Sequence, residues 1–217
     1  MRHTTPRLTL LLLAAALACG PGQSVLTDAD RALLAKVGVS ADFGHALKSR
    51  GRNLRQLEVE NGDGQRVPAS GLTVDVPQAR TKRAVRELRV LAPRGFTVFV
   101  SGQNFGINGE PDRVSAMAAE SFYDVLTAVG TAGWNYDLGP EAVAERLREW
   151  DSRYGLVLVG AGGDWLEAEF IRCPTDMLAF AREVYAFCPD VVDQGTGTVE
   201  ALGEEMRREN AVYLWWD

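Results

Sequence analysis

The stretch from Phe187 to Thr198, Phe-Cys-Pro-Asp-Val-Val-Asp-Gln-Gly-Thr-Gly-Thr, constrains the fold of this chain more than any other. Before it, Met177, Phe180, Ala181, Val184, Tyr185 and Phe187 recur at helical spacing and give one helix an apolar face too wide for the rim of a domain. Such a helix has to pack centrally. The Pro189-Asp190 pair stops it, and two Thr-Gly steps launch a second helix with Val199, Leu202 and Met206 as its buried stripe. The second helix runs into Val-Tyr-Leu-Trp-Trp-Asp, residues 212–217, which reads as a strand inside the core. Two helices and a strand therefore hang on one short joint.

Upstream, helical and strand periodicities alternate. Thr27 reads as an N-cap, with Asp28 and Asp30 in the first turn, Leu33, Leu34 and Val37 as the apolar face and Gly38 as the stop. Leu54 to Glu60 alternates apolar and polar residues, and Asn61-Gly62-Asp63-Gly64 supplies a turn before Arg66 to Val76, which predicts a hairpin. Pro77 opens a helix to about Ala92, burying Ala84, Val85, Leu88 and Leu91 and leaving Lys82, Arg83, Arg86 and Arg89 on the other side, a solvated face in preference to the alternative of an anion-binding one. Phe96 to Val100 is a strand, Ser101 to Pro111 a Gly- and Asn-rich loop, and 113–118 fits a short strand or a helix start. Phe122, Val125, Leu126 and Val129 form a helical stripe closed by Gly130, and Thr131 to Asp137 is a turn-rich joint. Pro140 begins a helix carrying Val143, Leu147 and Trp150; strands follow at 156–159 and 165–171 around the turn Ala161 to Asp164. Pro174 reads as the first residue of the apolar helix. The pattern predicts an α+β fold, a mixed or antiparallel sheet packed against several helices with the C-terminal strand in the core. It divides the chain into an N-terminal α/β segment, 25–94, and a C-terminal α+β domain, 95–217.

The first residues read as an address rather than as structure. Arg2 and Arg7 precede the apolar run Leu8 to Leu17, and Ala16-Leu17-Ala18-Cys19 is a small-residue site ending in cysteine. This resembles a bacterial lipobox, which implies a signal peptide over 1–18, cleavage before Cys19, lipidation of Cys19 and a short tether over 19–24. Gly20, in place of an aspartate after the cysteine, fits sorting to the outer membrane by the same resemblance. The alternative is an ordinary secretory signal with an incidental cysteine. Either way the expectation is export; on the lipobox reading the lipid at Cys19 holds the protein to a membrane, facing the periplasm or the surface. No later apolar run is long enough to span a bilayer.

Charge narrows the partners. Without Arg2 and Arg7 the chain has 21 basic and 29 acidic residues, a net charge of −8, which makes nucleic acid a poor partner. Residues 43–109 carry a net +6 and residues 110–217 a net −13, so two differently charged parts are expected.

Short words in the C-terminal part carry a resemblance. Trp150-Asp151, Tyr154-Gly155-Leu156, Gly160-Ala161, Asp164-Trp165, Phe180-Ala181, Glu183-Val184-Tyr185, Phe187-Cys188-Pro189-Asp190, Asp193 to Thr198 and Leu214-Trp215-Trp216-Asp217 occur in order. Together they resemble the bacterial family called domain of unknown function 4253, over about 134–217, with weaker echoes from Gly95 onward. The resemblance implies a compact α+β domain. It implies no activity, because the family has no assigned one.

Residue types argue against several chemistries. His3 lies in the leader and His45 outside the family-like part, so a triad has no local base. Cys173 and Cys188 lack a second pair at zinc spacing, and Gly160-Ala161-Gly162-Gly163 lacks a nucleotide-binding fingerprint. No cofactor or metal is therefore called for. The remaining candidates are the carboxylates Asp164, Asp190 and Asp193, the helix-start segment Gln194, Gly195, Thr196 and Gly197, and the aromatics Trp165, Trp215 and Trp216. Two functions stay open. One is an exported binding or interaction module, of a protective or immunity kind, that meets a protein partner through an acidic, aromatic surface. The other is a metal-assisted hydrolase using the Asp cluster. If the carboxylates only brace the joint, Asp193 is expected to carry stability, and Asp190 and Asp164 to carry any binding.

Overall fold

The computed structural model describes residues 25–60 and 64–217; the leader, Cys19 with its tether, and the hairpin residues Asn61 to Asp63 lie outside them. Helix α1 (Asp28–Val37) starts at a reciprocal capping box between Thr27 and Asp30 and ends at Gly38 in the left-handed conformation. Helix α2 (Ala41–Arg50) is absent from the sequence expectation. Ser40 caps it, only Phe43, Gly44 and Leu47 are buried, and Gly44 has little helix propensity. That glycine lets Leu34 of α1 approach: a Cβ there would lie 2.4 Å from the leucine Cδ1.

Strands β1 (Arg52–Glu60) and β2 (Arg66–Val76) pair antiparallel, as the alternation predicts. A short 3₁₀ turn, Gln78–Arg80, precedes α3 (Thr81–Leu91), so Pro77 opens that turn and not the helix itself. Ala84, Val85 and Leu88 are buried, whereas Leu91 in the last turn is half exposed. Strand β3 (Phe96–Gly102) pairs with β4 (Asp112–Ala118), which makes 113–118 a strand. Then come α4 (Phe122–Val129), α5 (Pro140–Tyr154), β5 (Leu156–Ala161), β6 (Trp165–Phe170), α6 (Met177–Phe187), α7 (Val199–Glu209) and β7 (Ala211–Trp215). Helix α6 begins three residues after Pro174, because the Asp176 carboxylate takes the capping position and accepts from the amide of Ala179.

All seven strands of the described residues lie in one sheet, in the order β1-β2-β4-β3-β5-β6-β7. Among them β3 and β5 alone are parallel. The sheet crosses the expected boundary at residue 94 without a break, since β2 pairs with β4 from Gly71 to Val76. Successive residues of β3 show the layering: Phe99 joins one buried cluster while Val98 and Val100 join the other. The face with Val98 packs on α1, α2 and α3; the opposite face packs on α4 to α7, with Trp150 and Phe180 wholly buried at its centre. The apolar face of α6 is thus central, as its width requires. The fold is α+β, helix layers flank a mixed sheet, and β7 closes the sheet at its edge.

Candidate functional site

Helices α1, α2 and α3 pack over β1 to β4 on their face of the sheet. The same face at the β6 and β7 end is the floor of a groove instead. Glu167 of β6 and Tyr213 of β7 are register partners there, as are Trp165 and Trp215, and the rings of Trp165 and Tyr213 stack at 6.1 Å with planes 18° apart. The groove has two lobes of about 350 and 390 Å³ that share Lys82, Gln103, Phe105 and Glu167. The first runs under α3 past Thr81 and Asp112; the second runs along β7 to Leu202, Glu205 and Glu209 of α7.

A charge pair sits where the lobes meet. Lys82 Nζ donates to Glu167 Oε1 at 2.7 Å; the glutamate side chain is 9% exposed and the lysine 45%. Burial pulls the Lys82 ammonium down, but the hydrogen bond and charge of Glu167, helped by Glu209 and Glu169, leave its pKa raised. Asp112 accepts from Thr81 Oγ1 at 2.8 Å and from the Asn104 amide at 3.0 Å, tying the 103–111 loop to α3. Tyr213 donates to Gln103 Oε1 at 3.4 Å, and burial beside the charges of Asp164 and Glu167 pushes its hydroxyl up to about 12. The loop rim is built from strained backbone. Phe105 has φ +50°, a left-handed value rarely taken by a bulky residue, and its ring is 64% exposed beside the groove.

Of the residues singled out from sequence, Gly195, Thr196 and Trp215 line this groove, and Trp165 lies beside it, stacked on Tyr213. The others are elsewhere. Residues Val191–Thr196 form one π turn, closed by Gly197 in the left-handed conformation. Asp190 sits at its start, 4% exposed, and accepts from the Tyr136 hydroxyl at 2.6 Å, the Gln194 side chain at 3.1 Å and the Asp217 amide at 3.0 Å. Burial pushes this carboxyl up, yet the bonds from Tyr136, Asp217 and Gln194 outweigh it and hold its pKa below the usual range. Asp193 is exposed and accepts from the Tyr185 hydroxyl at 3.0 Å. The expected order is therefore reversed: Asp190, not Asp193, braces the joint. Asp164 lies exposed in the β5–β6 turn, and its backbone carbonyl accepts from the Trp216 amide. Trp216 is buried on the opposite side of the sheet against Phe187. Among the described residues, no group of three or more His, Cys, Asp or Glu is placed to hold a metal.

Sequence reasoning placed Lys82 on a solvated helix face and missed Gln103, Phe105, Glu167, Glu205, Glu209 and Tyr213. Glu167 did leave a trace. An acidic residue between Leu166 and Ala168 in a strand of buried type needs a cation, although nothing local points to Lys82, 85 positions away.

The groove draws its floor and far wall from the C-terminal half of the chain. Residues 113–217 match the family model described as Domain of unknown function (DUF4253). The match starts in β4, earlier than the resemblance at 134–217, and takes in Glu205 and Glu209 of α7 and all of β5, β6 and β7. Lys82 and Phe105 lie before it. No curated protein and no solved structure matches the chain.

Proposed function

We propose that the protein is an exported, lipid-anchored binding module that meets a protein partner through the groove between α3 and α7. The observation that carries this reading is the groove's construction: a charge pair half sunk in its floor, stacked aromatic rings on one strand pair and an exposed Phe105 at the rim. Aromatic anchors beside desolvated polar groups are how interfaces concentrate affinity. A protective role of the immunity kind is one use of such a surface. The anchor rests on Arg2, Arg7, the run Leu8 to Leu17 and Cys19 in the sequence. No described helix is long and apolar enough to cross a membrane, so attachment through Cys19 would be by lipid.

A photo-crosslinking residue in place of Phe105 is expected to trap a protein partner in cells, and the same residue in place of the exposed Trp134, outside the groove, is not. Equal trapping at both positions would reject the groove. The address is tested separately by Cys19→Ser, which should abolish fractionation with membranes.

A further inference from the structure

We infer that the lobe beside α7 receives a lysine or arginine side chain from an extended, basic peptide segment; this depends on the groove being the binding surface. Glu167 is 7% exposed, Lys82 occupies one of its carboxylate oxygens, and the other has no hydrogen-bond partner among the described residues. An ionised carboxylate only accepts, so an oxygen left open to the groove is satisfied by an arriving donor in place of water, best by a cationic one. Glu205 and Glu209 stand one helical turn apart on the wall of the same lobe. With Glu167 they set three carboxylates on the lobe against two cations, since Lys82 pairs with Glu167 at 2.7 Å and Arg208 with Glu209 at 3.1 Å, which leaves Glu205 as the carboxylate in excess. Burial lowers the pKa of Lys82, and Glu167 above all, with Glu209 and Glu169 after it, raises it. An anionic ligand would be repelled, and an apolar one would strip water from Glu167 without replacing it.

The remaining lining suits the stem of a long basic side chain. Tyr213, Trp215, Leu202 and Met206 offer aromatic and aliphatic surface along a space of about 390 Å³, against which methylenes pack and over which a guanidinium stacks. The occupant is a peptide rather than a free amine, because this lobe continues into a second one under α3 and the exposed ring of Phe105 overhangs both. A single amine would fill one end. An extended chain puts its basic side chain on the glutamates and a neighbouring apolar residue against Phe105.

The test is a titration of the isotope-labelled full chain, followed by NMR, with short alanine-based peptides that differ only in carrying Arg, Gln or Glu. The Arg peptide is expected to shift groove resonances. Its Kd is expected to weaken about tenfold in the double variant E205Q/E209Q. The double variant E141Q/E145Q makes the same charge change at exposed positions of α5 and is expected to leave the Kd unaltered. Equal weakening in both variants would overturn the proposal by reducing it to diffuse attraction. If the Gln or Glu peptide shifts the groove as strongly, the cationic ligand is wrong and the groove survives as a binding surface. If no peptide shifts the groove, both fall.

Discussion

At the scale of single residues, Asp190 shows how a carboxylate in a sequence motif becomes structural. Its three donors come from the 134–136 turn, the π turn and the segment after β7, so one side chain joins parts of the chain that no helix or strand connects. Asp190→Asn loses charge-assisted bonds in a buried setting and is expected to cost about 1–3 kcal/mol in thermal or denaturant unfolding, with a smaller loss for the exposed Asp193→Asn. The pH dependence has a definite sign. A carboxyl whose folded pKa is depressed contributes fully above its unfolded value of about 3.9, and the contribution is lost as pH falls from there through the folded value. The acid limb of the stability curve should therefore be shallower in Asp190→Asn, and an unchanged limb would remove Asp190 as its source. The cysteines separate in the same manner. Cys188 is buried, its Sγ donates to the Trp215 carbonyl at 3.0 Å, and burial pushes the thiol up to about 12; Cys173 is exposed. At neutral pH a thiol reagent should label Cys173 but not Cys188 in the folded protein and both of these after unfolding, as peptide mass mapping will show.

At the scale of elements, periodicity named nearly every helix and strand, and failed where local chemistry was thin or conflicting. Helix α2 has too few apolar positions and a central glycine, and its stability comes from packing on α1 and the sheet. The π turn at Val191–Thr196 carries no periodic signal; Asp190 and the Thr196 hydroxyl, which reaches the Val191 and Thr198 carbonyls, hold it together. Arg89 illustrates a side chain standing in for a ladder. Strands β3 and β5 share one register pair, Val100 with Gly160, and Arg89 of α3 donates to the Val98 and Leu158 carbonyls on both strands. Close approach between elements is equally illegible. Gly133 has φ −115°, open to any residue, but a Cβ there would lie 2.7–2.8 Å from three atoms of the Trp216 indole. Gly133→Ala is expected to destabilise by about 1–3 kcal/mol with a changed near-ultraviolet tryptophan signal, the mark of an overpacked core.

At the scale of the whole molecule, the basic and acidic parts of the chain meet across one sheet. Lys82 comes from the segment with a net +6 and Glu167 from the one with a net −13, and their pair joins α3 to β6 at the groove. Lys82→Met strands a buried carboxylate and should cost about 1–3 kcal/mol, discounted for the half-exposed lysine, while K82M/E167L should recover most of the loss in the same melts. Additive losses would show that the pair is not coupled. The sequence by itself determined the α+β class, the central α6, the hairpin, the caps at Thr27, Gly38 and Gly130 and the family-like C-terminal half, because hydrophobic period and turn chemistry act over a few residues at a time. Only the tertiary structure decided that β2 and β4 continue one sheet through residue 94, that Asp190 is a brace, and that Lys82, Phe105, Glu167, Glu205 and Tyr213 share a groove. Those contacts join residues far apart in the chain, and long-range pairing follows from how layers cover a sheet and where they leave it bare, which no local window records.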